Sequence, residues 1–163
     1  MSGKVQHIPE GYRSLSPAIT CKNASCAIDF YKKVFCATEV MRMPGPNNQV
    51  MHAELQIGDS RLMLNDEFPG MSLAPNPQEP AATRGCSIFV YTEDVDSVVQ
   101  RATDSGSRLD MPVQDMFWGD RYGKFTDPYG HSWSVATHVE DVSPEESMRR
   151  MAAMSNQKAQ SAD

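Results

Sequence analysis

The residues best suited to chemistry lie in a segment of alternating polarity, Val50 to Ile57. His52 and Glu54 are two positions apart, so on a β-strand both side chains point to one face. An imidazole beside a carboxylate can act as a general acid and base, or can anchor a divalent metal weakly. The alternative is a polar strand face in water. The opposite face of the segment is apolar, which leaves the polar face to a cleft or to solvent.

A second group lies in the segment from Phe117 to Thr126, which we interpret as one strand. It comprises Trp118, Asp120, Arg121 and Tyr122. An indole offers a flat stacking surface, and a guanidinium donates a planar fork of hydrogen bonds to carboxylate or phosphonate oxygens. We therefore expect this group to bind a ligand. The alternative is an Asp–Arg surface pair beside a core tryptophan.

Methionine is frequent at the predicted strand positions, and its flexible side chain gives a soft apolar wall. These residues are Met41, Met43, Met51, Met63, Met111 and Met116. Such a wall suits an apolar or aromatic ligand, and we assign Met63 to the ligand-binding set. The alternative is ordinary core filling.

Other polar residues have structural interpretations. Asp127 is expected to cap the turn that it begins, His131 to donate a hydrogen bond within that turn, and Trp133 to lie in the core. His138 is interpreted as a packed or edge histidine. None of the four cysteines forms a CxxC pair, so we expect reduced thiols that fill small apolar gaps rather than zinc ligands.

The elements that position these residues occur twice. Each half of the chain reads as a strand, a helix and three further strands, with helices at Ala24 to Phe35 and after Asp94. Ser16 and Ser87 begin equivalent strands 71 positions apart, and the hairpin glycines Gly58 and Gly130 are 72 positions apart. Two landmarks with nearly the same offset indicate a duplicated unit.

The chain thus divides into a lead-in (residues 1–13), one domain (14–142) and a C-terminal helix with a polar tail (143–163). Within the domain we expect modules at 14–68 and 84–140, joined by a proline-rich linker at 69–83. The C-terminal helix starts at a capping box, because Ser143 is followed three residues later by Glu146.

Composition excludes several classes of partner. The 163 residues carry a net charge of −6, which argues against binding to nucleic acid. No stretch approaches the roughly 20 apolar residues needed to span a membrane. The first residues lack the apolar region of a signal peptide, so we expect a cytoplasmic protein.

Three stretches of the sequence resemble a known family. The stretch ASCAIDFYKKVFCATEV is similar to the first helix and second strand of the vicinal oxygen chelate superfamily, which includes glyoxalase I, bleomycin-resistance proteins and extradiol dioxygenases. FWGDRYGKFTDPYGHSWSVATH and MHAELQIGDSRLMLNDE resemble its PhnB-like branch. The resemblance implies an α+β fold of two βαβββ modules, whose curved mixed sheets surround a cleft, and a homodimer.

The resemblance also implies where a metal would bind. Members with metal-dependent chemistry hold a divalent ion through His, Gln or Glu at four positions, which correspond here to Ser16, Leu62 or Met63, Ser87 and Ser134. Hydroxyls and an apolar side chain hold Mg²⁺, Zn²⁺ or Ni²⁺ poorly. We therefore expect no metal and no other cofactor.

Three functions are compatible with these observations. We favour a metal-free, PhnB-like homodimer that binds a small apolar or aromatic molecule in the cleft between the modules. The alternative is a glyoxalase- or dioxygenase-type lyase or isomerase that uses His52 and Glu54, with or without a divalent metal. A third possibility is an interaction subunit whose cleft is vestigial.

Overall fold

The computed structural model describes residues 6–71, 73–79 and 85–160, the last six as backbone only. It contains two modules with the same order of elements, followed by one helix. The first module comprises β1 (Ala18–Cys21), α1 (Ala24–Phe35), β2 (Thr38–Pro44), β3 (Val50–Ile57) and β4 (Ser60–Asp66). The second comprises β5 (Ile88–Tyr91), α2 (Val95–Asp104), β6 (Arg108–Asp115), β7 (Asp120–Thr126) and β8 (Ser132–His138), and α3 (Pro144–Gln160) follows.

Each module forms a four-stranded mixed sheet, and the two sheets have equivalent strand orders, β1-β4-β3-β2 and β5-β8-β7-β6. The first strand of each module pairs in parallel with the last strand, and the remaining neighbours are antiparallel. The α+β class and the duplicated strand–helix–three-strand unit predicted from the sequence are confirmed.

Capping hydrogen bonds and a left-handed residue define where the helices begin and end. Asn23 and Asp94 accept hydrogen bonds from the backbone amides of Cys26 and Ser97, respectively, and so cap α1 and α2, as N-cap residues do. After α1 the chain turns at Cys36, which adopts a left-handed conformation with φ of 54°.

Both helices contribute to one hydrophobic core that contains residues of both modules. Tyr31 and Phe35 of α1 pack on the ring of Trp133, at centroid distances of 5.3 and 4.7 Å. The ring of Phe35 also stacks on that of Phe125. Trp133 is fully buried, as predicted. Since α1 also covers its own sheet, it lies between its own strands and the strands of the second module.

A buried carboxylate joins the modules at the turn between β7 and β8. The Oδ1 atom of Asp127 accepts from the backbone amides of Tyr129 and His131 at 2.9 and 2.8 Å. Its Oδ2 atom accepts from the Tyr31 hydroxyl at 2.6 Å and from the Trp133 indole at 2.8 Å. The predicted turn cap is confirmed, and the contact with α1 adds a link between the modules.

Several strands are shorter than predicted. The strand expected at Phe117 to Thr126 begins only at Asp120, because Met116 and Asp120 close a tight turn and Gly119 adopts a φ of 99°. Trp118 therefore lies in a turn, and its predicted place on the strand was wrong. The first strand begins at Ala18 rather than Ser16, and the fifth at Ile88 rather than Ser87.

The cysteine prediction was partly wrong. Cys21 is a buried thiol, whereas Cys26, Cys36 and Cys86 are exposed free thiols and fill no gap. The capping box before α3 is confirmed, since the Ser143 hydroxyl accepts from the amide of Glu146.

Parts of the predicted lead-in (1–5), linker (72 and 80–83) and tail (161–163) lie outside the described residues, as does residue 84. The module boundaries remain a prediction. Within the part of the chain that the structure describes, none of the helices combines the length and the apolar character required to cross a membrane.

Candidate functional site

His52 and Glu54 lie on the face of the first sheet that points away from the core. Ala53 and Leu55, which alternate with them, are fully buried on the core side. Glu54 is directly opposite Met41 on β2 and Met63 on β4, and directly opposed residues share a face. The methionines at these positions are therefore not core filling; they flank the acidic residue on the outer face.

Glu54 is held by two donors. Its Oε1 atom lies 3.1 Å from Nε2 of His52, and its Oε2 atom accepts from the hydroxyl of Tyr12. The hydrogen bond from Tyr12, reinforced by the one from His52, lowers the pKa of Glu54 despite its burial. A carboxyl with a lowered pKa is a weak base at neutral pH. Glu54 is therefore better suited to orienting His52 than to accepting a proton.

Arg61 lies beside this cluster and was not singled out from the sequence. Its guanidinium carbon is 5.6 Å from the centroid of the Tyr12 ring, within the range of a cation–π contact. Its Nε atom is buried and has no hydrogen-bond partner among the described residues. The sequence signal was a charged residue directly before the apolar run Leu62 to Leu64.

Asp120 forms a second cluster on the outer face of the second sheet. It is 3% exposed and accepts from the indole of Trp118 at 2.9 Å and from the hydroxyl of Tyr91 at 3.0 Å. Nδ1 of His138 lies 2.8 Å from Asp120, and Nε2 lies 2.9 Å from Asp141. These contacts, with Asp141 contributing most, raise the pKa of His138. The structure thus gives His138 two carboxylate partners that were not predicted.

Hydroxyl groups meet next to this cluster. The hydroxyls of Ser87 and Ser134 are 3.0 Å apart, and Tyr122 donates to Ser134 at 2.9 Å. The ring of Phe89 stacks on that of Tyr122 at a centroid distance of 5.9 Å. Ser87 and Ser134, two of the four positions that the resemblance implies for a metal, are therefore neighbours.

The donor set at these positions does not fit a divalent ion. It offers neutral hydroxyls, and the matching position on β4 carries either buried Leu62 or the thioether of Met63. Mg²⁺ and Ca²⁺ are held chiefly by carboxylates, and Zn²⁺ and Ni²⁺ chiefly by imidazole, thiolate or carboxylate ligands. Across residues 6–71, 73–79 and 85–160, no three His, Cys, Asp or Glu side chains are grouped so that they could hold a metal ion.

Arg121 lies apart from the other residues of its predicted group. It alternates with Asp120 and Tyr122 along β7, and its guanidinium binds Asp96 of α2 at 2.6 and 2.8 Å and Asp115 at 3.0 Å. The three donor atoms used in these contacts are committed to carboxylates, so Arg121 forms the surface pair that was the alternative interpretation.

A cavity of about 400 Å³ lies between the modules. Its walls are the residues before β1, the β3–β4 hairpin and the edge strand β5, with Trp133 behind them. Apolar side chains dominate this inter-module cavity. They include Leu15, Ile57, Leu62, Ile88, Phe89 and Val90.

None of the residues predicted for the site lines the inter-module cavity, but each cluster reaches it through one side chain. Tyr91 lines the cavity and donates to Asp120, and Arg61 lines it beside Tyr12, the partner of Glu54. No hydrogen bond or ring contact among the described residues joins the two clusters directly. The strand β5 was predicted, but its role as a cavity wall was not; the alternation of Phe89 and Tyr91 with smaller apolar residues was the signal that could have indicated it.

Known proteins resemble this chain in sequence. Residues 14–135 match the model of the Glyoxalase/Bleomycin resistance protein/Dioxygenase superfamily. The uncharacterized protein Mb0911c of Mycobacterium bovis is 39% identical over 146 residues, which cover 88% of this chain and 93% of that protein.

Solved structures share the fold at lower identity. A putative 3-demethylubiquinone-9 3-methyltransferase of Bacillus cereus, also described as a PhnB protein, is 18% identical with a TM-score of 0.58, covering 77% of this chain and 99% of its own. TnmS3, an antibiotic binding protein from Streptomyces sp. CB03234, is 22% identical with a TM-score of 0.54, covering 84% and 99%.

Proposed function

Because the chain belongs to the glyoxalase/bleomycin resistance protein/dioxygenase superfamily, we propose that it binds a small apolar or aromatic molecule in the inter-module cavity. The observation that carries this proposal is the cavity itself, about 400 Å³ in volume and walled mainly by apolar and aromatic side chains. Ligand sites typically have this size and this character, with a few polar groups that fix orientation.

The two flanking clusters supply those polar groups. Tyr91 and Arg61 line the cavity, and behind Tyr91 the aromatic surface continues through Trp118 and Tyr122. We keep Trp118, Asp120, Tyr122 and Met63 as ligand-binding residues in this proposal, as supports or extensions of the cavity. Arg121 has the least support, since its donors are committed to Asp96 and Asp115.

The fold is compatible with such a role. TnmS3, which shares it, is described as an antibiotic binding protein. The assignment to the PhnB-like branch is part of the proposal; its support is the sequence motifs and the likeness to the Bacillus cereus protein. We propose metal-free binding because of the hydroxyl and thioether donor set. Elemental analysis that found about one Zn, Ni, Mn or Fe per untagged chain would contradict it.

We also propose a cytoplasmic homodimer. Three of the four cysteines are exposed free thiols, which suits a reducing compartment. Large apolar side chains are exposed on β2, β5 and α3, including Met43, Tyr91 and Met148, and burial against a second chain would remove them from water. Light scattering should give twice the mass of one chain at micromolar concentration, and a monomer mass would contradict this.

The test of binding is a ligand-observed NMR screen of small aromatic and aliphatic compounds. Val90 lines the cavity, so Val90→Phe should narrow it and weaken every hit that occupies it. Leu109 is an exposed apolar residue outside the cavity, and Leu109→Phe is the matched control, which should leave binding unchanged. Hits that respond to neither substitution would place the ligand elsewhere.

The alternative is an enzyme that uses His52 and Glu54. One observation favours it: the buried carboxylate of Glu54 holds Nε2 of His52 at 3.1 Å, which leaves Nδ1 available for proton transfer. His52 is then the acid or base, and Glu54 orients it. Turnover of a bound ligand by the wild type that is lost in His52→Gln would favour the enzyme over the binding protein.

A further inference from the structure

We propose that the ligand of the inter-module cavity is a monoanion, an apolar or aromatic carboxylic acid whose carboxylate pairs with Arg61. This inference rests on the proposed function and names the chemical class of its ligand. It follows from the charges that line the cavity and from the partners that each charge has in the structure.

Asp59 and Arg61 are the two charged side chains among the residues that line the cavity. The charge of Asp59 is already compensated. Its carboxylate forms an ion pair with Arg13 at 3.0 Å and accepts a hydrogen bond from the hydroxyl of Ser60 at 2.8 Å. Asp59 therefore neither repels an anion strongly nor requires a cation from the ligand.

Arg61 has no equivalent compensation. No ion pair within 4.0 Å involves it among the described residues, and its Nε atom is buried without an acceptor. Arg61 is close enough to Glu54 to contribute to lowering the pKa of that carboxyl, yet Glu54 accepts its hydrogen bonds from Tyr12 and His52. The buried Nε atom is closed to a ligand, but the two Nη atoms also make no hydrogen bond among the described residues and are not buried. A ligand carboxylate would give them charge-assisted hydrogen bonds.

The side chain of Arg61 is also held in place before any ligand arrives. Its guanidinium lies against the ring of Tyr12. Gly11 leaves the space it needs, because a Cβ atom there would come within 2.9 Å of its Nη2 atom. A fixed planar fork favours a planar carboxylate. Arg61 is the one cation among the described residues that line the cavity, and no carboxylate among them forms an ion pair with it within 4.0 Å. A ligand with a single negative charge therefore matches it best.

The experiment compares 2-naphthoic acid with 2-naphthamide, two probes of the same shape that differ in charge. Their dissociation constants are measured by isothermal titration calorimetry at pH 7.5 with wild type, Arg61→Gln, Arg61→Lys and Arg42→Gln. Arg42 is the matched control, since it pairs with Glu39 and is not among the residues that line the cavity. Thermal unfolding of each variant checks that it is folded.

We expect wild type to bind the acid at least about tenfold more tightly than the amide, the ratio expected from one charge-assisted hydrogen bond. Arg61→Gln should abolish this preference, Arg61→Lys should retain part of it, and Arg42→Gln should leave it intact. The wild-type comparison tests the proposal even if an Arg61 variant fails to fold.

Two results would overturn the inference in different ways. Equal binding of acid and amide, or a preference that persists in Arg61→Gln, would refute the role of Arg61. The proposed function would survive this result if Val90→Phe weakened both probes. Failure of both probes to bind wild type at millimolar concentration would refute the inference and count against the proposed function as well.

Discussion

Asp127 links the two modules and holds Trp133, which lines the inter-module cavity. Replacing it tests how much this contact stabilises the fold. Asp127→Asn removes the charge of a carboxylate that is 1% exposed. Burial acts to raise the pKa of Asp127, but hydrogen bonds from His131, Tyr31 and Trp133 outweigh it, and the net pKa is lowered. The native fold therefore holds the ionised form, and an amide of nearly the same shape should be accommodated poorly.

The size of the effect follows from counting donors. Oδ1 of Asp127 accepts from two backbone amides, and Oδ2 accepts from Tyr31 and Trp133. Nδ1 of His131 is a weaker partner of Oδ2, at 3.5 Å. Asparagine has one oxygen, so its NH₂ group must face one of these pairs. Placing the NH₂ group at the Oδ2 position costs less free energy, because the Tyr31 hydroxyl can rotate and accept a hydrogen bond from it. The indole N–H of Trp133 then has no acceptor. One unpaired buried donor and the loss of charge-assisted bonds cost about 2–4 kcal/mol.

The assay is equilibrium unfolding in urea, followed by far-UV circular dichroism. Asp94→Asn is the matched control, because Asp94 caps α2 at the surface and Asn caps a helix about as well as Asp. We expect Asp127→Asn to lower the free energy of unfolding by about 2–4 kcal/mol and the control to lower it by less than about 0.5 kcal/mol. A loss below about 0.5 kcal/mol for Asp127→Asn would refute the argument about its four acceptor contacts.

Three further predictions test other parts of the molecule. The pKa of His138 is raised, so its contribution to stability is complete below the unfolded pKa of 6.5 and is lost as the pH rises through the folded pKa. The melting temperature of wild type should therefore exceed that of His138→Gln at pH 5.5 and equal it at pH 9. A difference that stays constant between these pH values would contradict this. In urea titrations, Gly119→Ala should lower the free energy of unfolding by more than about 2 kcal/mol, because its Cβ atom would lie 2.0 Å from the carbonyl oxygen of Glu140. Gly58→Ala is the control: its Cβ atom would meet open space, and it should lower the free energy of unfolding by about 1 kcal/mol. Arg121→Lys should leave the dissociation constant of any cavity ligand unchanged in calorimetry, since the guanidinium of Arg121 binds Asp96 and Asp115. A weaker affinity in this variant would show that Arg121 takes part in ligand binding.

The fold could be predicted from the sequence because its signals are local and repeated. The apolar spacing of α1, the alternation in β3 and the turn at Asp127 each depend on neighbouring residues, and the second module repeats them. The start of β7 was misjudged because the turn before it is held by a distant partner: the backbone amide of Glu140, 21 positions away, donates to the carbonyl of Gly119.

The candidate site was harder to predict because it depends on how distant segments meet. The pairing of His52 and Glu54 follows from strand periodicity, but Tyr12 joins them from a lead-in that no periodicity places. Asp120 was identified without its partners Tyr91 and His138, which belong to two other strands. The inter-module cavity forms where β5 meets the β3–β4 hairpin, and a single sequence carries no direct signal of that contact.

The most direct test of the central claim is a crystal structure of the protein with the tightest hit from the ligand screen. We predict density for the ligand between the β3–β4 hairpin and β5, in contact with residues 57–62 and 88–91, and displaced or absent in Val90→Phe. Density confined to the outer faces around Glu54 or Trp118, with an empty inter-module cavity, would contradict the account.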